Sequence, residues 1–133
     1  MYLSFKNPFD IIAALTDTKV VALGEIGLDD GWCNNKDSDF GMMQRVFFLQ
    51  LKLAVELNKP IVLHLRGSNS FRCAEYIMNL AKVPKDHPIH MHAFTSTYDV
   101  CKTWIENEWT GMKFGFVSDK FSPTVIKTLP LDR

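Results

Sequence analysis

The sequence carries no excess of charge of either sign, because 15 Lys and Arg are matched by 15 Asp and Glu. No global positive field is therefore available to gather a polyanion, and local groups or metal ions must supply any such attraction. Long apolar runs are also missing, so no membrane-spanning helix and no membrane partner are expected. The N-terminus lacks the basic stretch and apolar core of a secretory signal. Cysteine is sparse: Cys33, Cys73 and Cys101 are odd in number and far apart, with no C-x-x-C pair. That pattern argues against a disulfide framework and for a reducing compartment, cytoplasmic or nuclear. Low-complexity tracts, repeats and interdomain linkers are absent, and 133 residues are expected to form a single domain.

What is present is a folding sequence. Hydrophobic residues make up 47%, with 10 Phe and 3 Trp, enough for a real core. Asn7-Pro8 reads as a helix start, and Ile11, Ile12 and Leu15 give that helix one apolar face up to Thr16. Lys19 to Leu23 is a continuously apolar, β-branched strand, the pattern of a strand buried on both faces of a parallel sheet. A polar loop, 31–37, precedes a helix capped by Asp39, with Phe47, Leu51, Ala54, Val55 and Leu57 inward and a stop at Asn58 and Pro60. Ile61 to Leu63 is the second strand. Ser70 then caps a helix that turns Phe71, Ala74, Ile77, Met78 and Ala81 inward. A strand from Ile89 to His92 follows the loop 84–88. Ser96 to Asp99 has the form of a capping box opening a helix with Val100, Cys101, Trp104 and Ile105 buried. Gly111 ends it, Met112 to Val117 is a fourth strand, and Ser122-Pro123 starts a last helix. The alternation predicts an α/β fold of about four parallel strands joined by right-handed crossovers.

In such folds functional groups gather at the carboxyl ends of strands. Glu25, between Gly24 and Gly27, falls where the first apolar run stops, and His64 and His92 close the next two strands. A Glu and two His suffice to hold a divalent metal and leave a position for water. His90 shares the parity of His92 and is expected to point inward, one layer deeper, in a structural role. Arg66 shares the parity of His64 and is placed to hold a phosphate oxygen. Structural roles are available to each: a cap for Glu25, core hydrogen bonds for the histidines, turns for Asp29 and Asp30. His87, in a loop after Asp86, is expected in solvent, and the cysteines are expected to pack.

Five segments carry a resemblance to one family. VVALGEIGLD (Val20–Asp29), FFLQLKLAVELNKPIVLHLR (Phe47–Arg66), IHMHAFTS (Ile89–Ser96), MKFGF (Met112–Phe116) and LPLDR (Leu129–Arg133) together resemble the TatD metal-dependent deoxyribonucleases. The resemblance implies a partial (β/α)8 TIM-barrel-like fold in which residues 1–133 supply strands four to seven. It implies hydrolysis of DNA phosphodiester bonds with divalent metal ions (zinc, magnesium or manganese). Position by position, Glu25 matches the bridging metal ligand, and His64 and His92 match the second metal's histidines. Asp29 matches the aspartate that ends the first motif and Arg66 the arginine after the strand histidine. Both are expected to serve catalysis, Asp29 by orienting a ligand or a water and Arg66 by assisting phosphate binding. The family's opening H-x-H strand and closing E-T-D segment have no counterpart here, and a complete barrel takes about 250 residues. Asp30 stands where an aromatic is common, Gly67 where an acidic residue follows the arginine, and Ala93 and Ser96 replace a Cys and a Gly. These departures lead to the expectation of a fragment with weakened or absent catalysis and with exposed sheet edges able to self-associate. Two alternatives stay open: a non-catalytic chain that binds metal, DNA or a full-length relative, and an amidohydrolase-type enzyme acting on an ester or amide.

Overall fold

A computed structural model describes residues 8–31, 36–117 and 127, with backbone alone at 8, 9, 36 and 37. Helix and strand alternate as α1 (Pro8–Thr16), β1 (Leu23–Asp29), α2 (Lys36–Glu56), β2 (Ile61–Arg66), α3 (Ser68–Leu80), β3 (Ile89–Met91), α4 (Tyr98–Glu106) and β4 (Met112–Phe114). The strands form one sheet in the order β1-β2-β3-β4, and every adjacent pair is parallel. The α/β architecture expected from the alternation is present. The Asn7 cap, Cys33, the helix after Ser122 and the LPLDR segment lie outside the described residues.

Among the described residues, one face of the sheet is packed and the other is open. Leu28, Ile61, Leu63, Leu65, Ile89, Met91 and Met112 are buried, together with Phe47, Leu51 and Ala54 of α2, Phe71, Ala74 and Met78 of α3, and Cys101 and Trp104 of α4. Each such Leu or Ile contributes about 1.5–3 kcal/mol by leaving water. On the opposite parity Val62, His64 and Arg66 are half-buried, and His90 and Lys113 are exposed. The expectation of strands buried on both faces therefore fails among the described residues. β2 reads as nearly continuous apolar sequence, yet helices cover only its Ile61, Leu63 and Leu65 side.

Strand and helix ends depart from the sequence reading in ways that bonding explains. The apolar run at Lys19–Leu23 is mostly approach, since β1 begins at Leu23. Leu23 N–H donates to the Pro60 carbonyl at 2.8 Å, and Pro60, having no N–H, cannot carry the ladder back toward Val20. α2 starts at Lys36, ahead of Asp39. Its stop is as expected: Asn58 takes a left-handed φ of 50°, and Lys59 N–H returns to the Ala54 carbonyl at 2.8 Å. α3 starts at Ser68 with Gly67 as its flanking residue, and Ser70 is buried inside it. α4 is capped by Thr97, whose hydroxyl accepts from Val100 N–H at 3.5 Å, in place of Ser96. β4 ends at Phe114, short of Val117.

His87 is buried, at 6% exposure, and corrects the expectation of a solvated loop residue. Its Nε2 lies 2.9 Å from the Lys59 carbonyl, which it meets as an N–H donor. The loop is drawn in because β2 begins there: Ile61 N–H donates to the Pro88 carbonyl at 2.9 Å.

Candidate active site

Glu25 sits inside β1, not beyond it. Leu23 pairs with Ile61 and Ile26 with Leu63, so Gly24 and Glu25 together oppose Val62 alone. This bulge shifts the side-chain alternation by one residue, which lets Leu23, Ile26 and Leu28 all be buried while Glu25 turns outward. Gly27 follows with φ 154°, and a Cβ there would come within 2.0 Å of the His64 carbonyl oxygen. Only glycine lets β1 lie this close to the strand that carries His64.

His64 is the fourth residue of β2, inside the strand and not at its end. His92 lies one residue past β3 but stays in the ladder, its N–H donating to the Leu63 carbonyl at 2.9 Å. The chain then turns through Ala93, at φ 45°. Phe94 anchors that turn with edge-on contacts to Phe71, Phe114 and Phe116. This aromatic cluster packs at the turn that follows His92 and was not evident from spacing alone.

The expected residues converge. Glu25 Oε2 is 3.3 Å from His64 Nδ1, and Glu25 Oε1 is 3.4 Å from His92 Nε2. Asp29 Oδ2 is 3.5 Å from the other nitrogen of His64, Nε2. The His64 ring is thus held between two carboxylates, and the Glu25 carboxylate between two imidazoles. Asp29 is itself placed by its backbone N–H, 3.1 Å from Met43 Sδ of α2. Side chains of Glu25, His92 and His64 are 48%, 43% and 33% exposed, so solvent and a ligand can reach them.

Two residues sit differently from expectation. Arg66 reaches the same face, but its Nη1 donates to the carbonyl of Leu65 at 2.8 Å, so part of the guanidinium is engaged by its own strand. His90 has the parity of His92, with ring centroids 6.3 Å apart, yet it is exposed on the open face. It lies inward only in the sense that this face would be the inside of a closed barrel.

The donor set is chemically suited to a divalent ion: one carboxylate and two imidazoles, all accessible. Ligands about 2.1 Å from a tetrahedral ion stand about 3.4 Å from one another, close to the separations between Glu25 and each histidine. Among the described residues no three such side chains already surround a common point. Glu25 spends one oxygen on each histidine, so the rings are spread to either side of it.

The family model for TatD-related DNase matches residues 5–133. The chain belongs to the TatD family. It is 34% identical over 120 residues to the human 3'-5' RNA nuclease TATDN2, covering 88% of this chain and 15% of that protein. It is 31% identical over 121 residues to the uncharacterized metal-dependent hydrolase YabD of Bacillus subtilis, covering 86% of this chain and 44% of the relative. The crystal structure of the Escherichia coli TatD homologue YjjV superposes with a TM-score of 0.72 at 28% identity, over 92% of this chain and 47% of YjjV. The TatD fold is therefore present as four barrel strands and their helices. The chain spans less than half the length of these relatives.

Proposed function

We propose that this chain carries the Glu-His-His half of a TatD-type nuclease site and acts on nucleic-acid phosphodiester bonds. One observation carries the reading: the Glu25 carboxylate lies between His64 and His92, one oxygen to each, at 3.3 and 3.4 Å. Glu25, His64 and His92 would hold a divalent ion, zinc, magnesium or manganese. A bound ion of this kind supplies positive charge that acidifies water and polarises a phosphoryl oxygen. Asp29 holds His64 in orientation through its second ring nitrogen, an arrangement that makes histidine a better ligand. Arg66, on the same face, offers the remaining guanidinium N–H groups to a phosphate oxygen. Residues 1–133 correspond in this reading to strands four to seven of the barrel, working in the cytoplasm or nucleus.

The open face supports a second reading, in which the chain binds metal and nucleic acid without turnover. His64, His92 and Glu25 are 33–48% exposed because the sheet face they occupy is uncovered among the described residues. A site this wet loses much of the electrostatic advantage that a closed barrel gives to a transition state. β1 and β4, the outer strands of the described sheet, are the edges through which a second copy or a full-length relative would dock.

Purified chain incubated with manganese and labelled single-stranded DNA or RNA separates the readings. Chelator-sensitive cleavage that disappears in His64→Ala and His92→Ala supports the nuclease. Bound manganese with no cleavage of either strand leaves binding alone. Cleavage of esters or amides in place of nucleic acid assigns a different amidohydrolase chemistry.

A further inference from the structure

The residue after Asp29 clasps β1 to the end of β2, two of the strands that carry the site. Asp30 N–H points at the Arg66 carbonyl, 3.3 Å away, and at Ser70 Oγ, 3.2 Å away. Its carboxylate Oδ2 accepts from the backbone N–H of Asn69 at 3.3 Å. Asn69 lies in the first turn of α3, where the flanking Gly67 has no side chain to offer as a cap. A helix N-terminus leaves backbone donors unmet, and here a carboxylate from the turn after β1 takes one of them.

Space confirms the clasp. Gly67 has φ 86°, and a Cβ built on it would fall 1.4 Å from Asp30 Oδ1 and 2.3 Å from the carboxyl carbon. Asp30 therefore fills the volume that a side chain at position 67 would take. A side chain at position 67 would therefore displace the Asp30 carboxylate. The turn they form begins at Arg66, two residues after His64, and Asp29 stands opposite Arg66 in the β1–β2 register.

We propose that Asp30 is a positioning residue. Its carboxylate, seated over Gly67 and on the first turn of α3, holds the end of β2 so that His64 and Arg66 meet Glu25 and Asp29. The role of the positioned site rests on the nuclease reading above; the clasp itself does not.

Manganese affinity by chelator competition and the imidazole NMR signals of His64 and His92 test it together. Asp30→Ala should shift the His64 ring signals, leave those of His92 in place, and weaken manganese binding about 10–100-fold. Asp30→Asn, which caps a helix as well as Asp, should restore both to within about threefold of the parent. Gly67→Ala, strained by its φ of 86° in any background, should be more disruptive alone than in the Asp30→Ala background, where the clash with the carboxylate is gone, a coupling that independent sites do not show. If Asp30→Ala fails to fold, Asp30→Glu moves the carboxylate out of its seat and should give the same His64 shifts. Lowered melting temperature with unchanged His64 signals and unchanged manganese affinity would overturn the proposal, as would strict additivity with Gly67→Ala. Absence of manganese, zinc and magnesium binding in the parent would sink the nuclease reading, and the His64 spectra would still decide the role of Asp30.

Discussion

The two faces of the sheet come from the same strands and differ in almost everything else. Toward the helices β2 presents Ile61, Leu63 and Leu65, each at or below 1% exposure. Away from them it presents Val62, His64 and Arg66, all half-buried. β3 repeats the division, with Ile89 and Met91 covered and His90 exposed. In β1 the division survives only because the bulge at Gly24-Glu25 resets the alternation. The packed face is stabilised by desolvation, and the strands present apolar side chains to it. The open face is free to hold carboxylate, imidazole and guanidinium groups whose burial without partners would be costly. Stability and chemistry are thereby assigned to alternate residues of the same strand.

The sharpest way to break this division is to truncate neighbours on opposite faces. Leu63→Ala should cost about 2–5 kcal/mol, seen as a lower urea midpoint, because a fully covered side chain leaves a cavity. Val62→Ala, one residue away, should cost less than about 1.5 kcal/mol. Equal losses at the two positions would show that the open face is covered in solution, by another part of the protein or by a second copy.

Glu25→Gln probes the open face from the side of function. Removing a direct ligand should weaken manganese binding by more than about 100-fold, the upper range for residues that only support a ligand. Because Glu25 is 48% exposed, the folding free energy should move by no more than about 0.5 kcal/mol. A large stability loss would mean that this carboxylate is structural.

The smallest contrast lies between two histidines. His87→Ala removes a buried donor from the Lys59 carbonyl, 2.9 Å away, and should cost about 1–3 kcal/mol. His90→Ala, on the exposed face, should stay within about 0.5 kcal/mol. Thermal melts of the two variants, run side by side, give the comparison directly.

Much of this was legible in the sequence. Apolar periodicity located α2 and α3, and the Asn58 stop was readable because a left-handed residue before Pro60 is local chemistry. The ligand candidates Glu25, His64 and His92 were named from their places at the ends of apolar runs. Their pairing atom by atom was not readable, because the bulge that turns Glu25 outward depends on how β1 meets Val62. The burial of His87 was hidden for a similar reason: its partner Lys59 lies 28 positions earlier. Asp30 looked like one more turn residue, since nothing local joins it to Gly67 and Asn69.

The sequence by itself determined the alternation of helix and strand, the parallel sheet, the set of metal-type side chains and the family pattern. Each of these is written in spacing and residue type over short stretches, where propensity and periodicity act. Tertiary structure alone decided which face of the sheet stays open, which oxygen of Glu25 meets which histidine, and that Asp30 closes over Gly67. Those outcomes depend on backbone register between strands, and a shift of one residue in register sends a side chain to the opposite face.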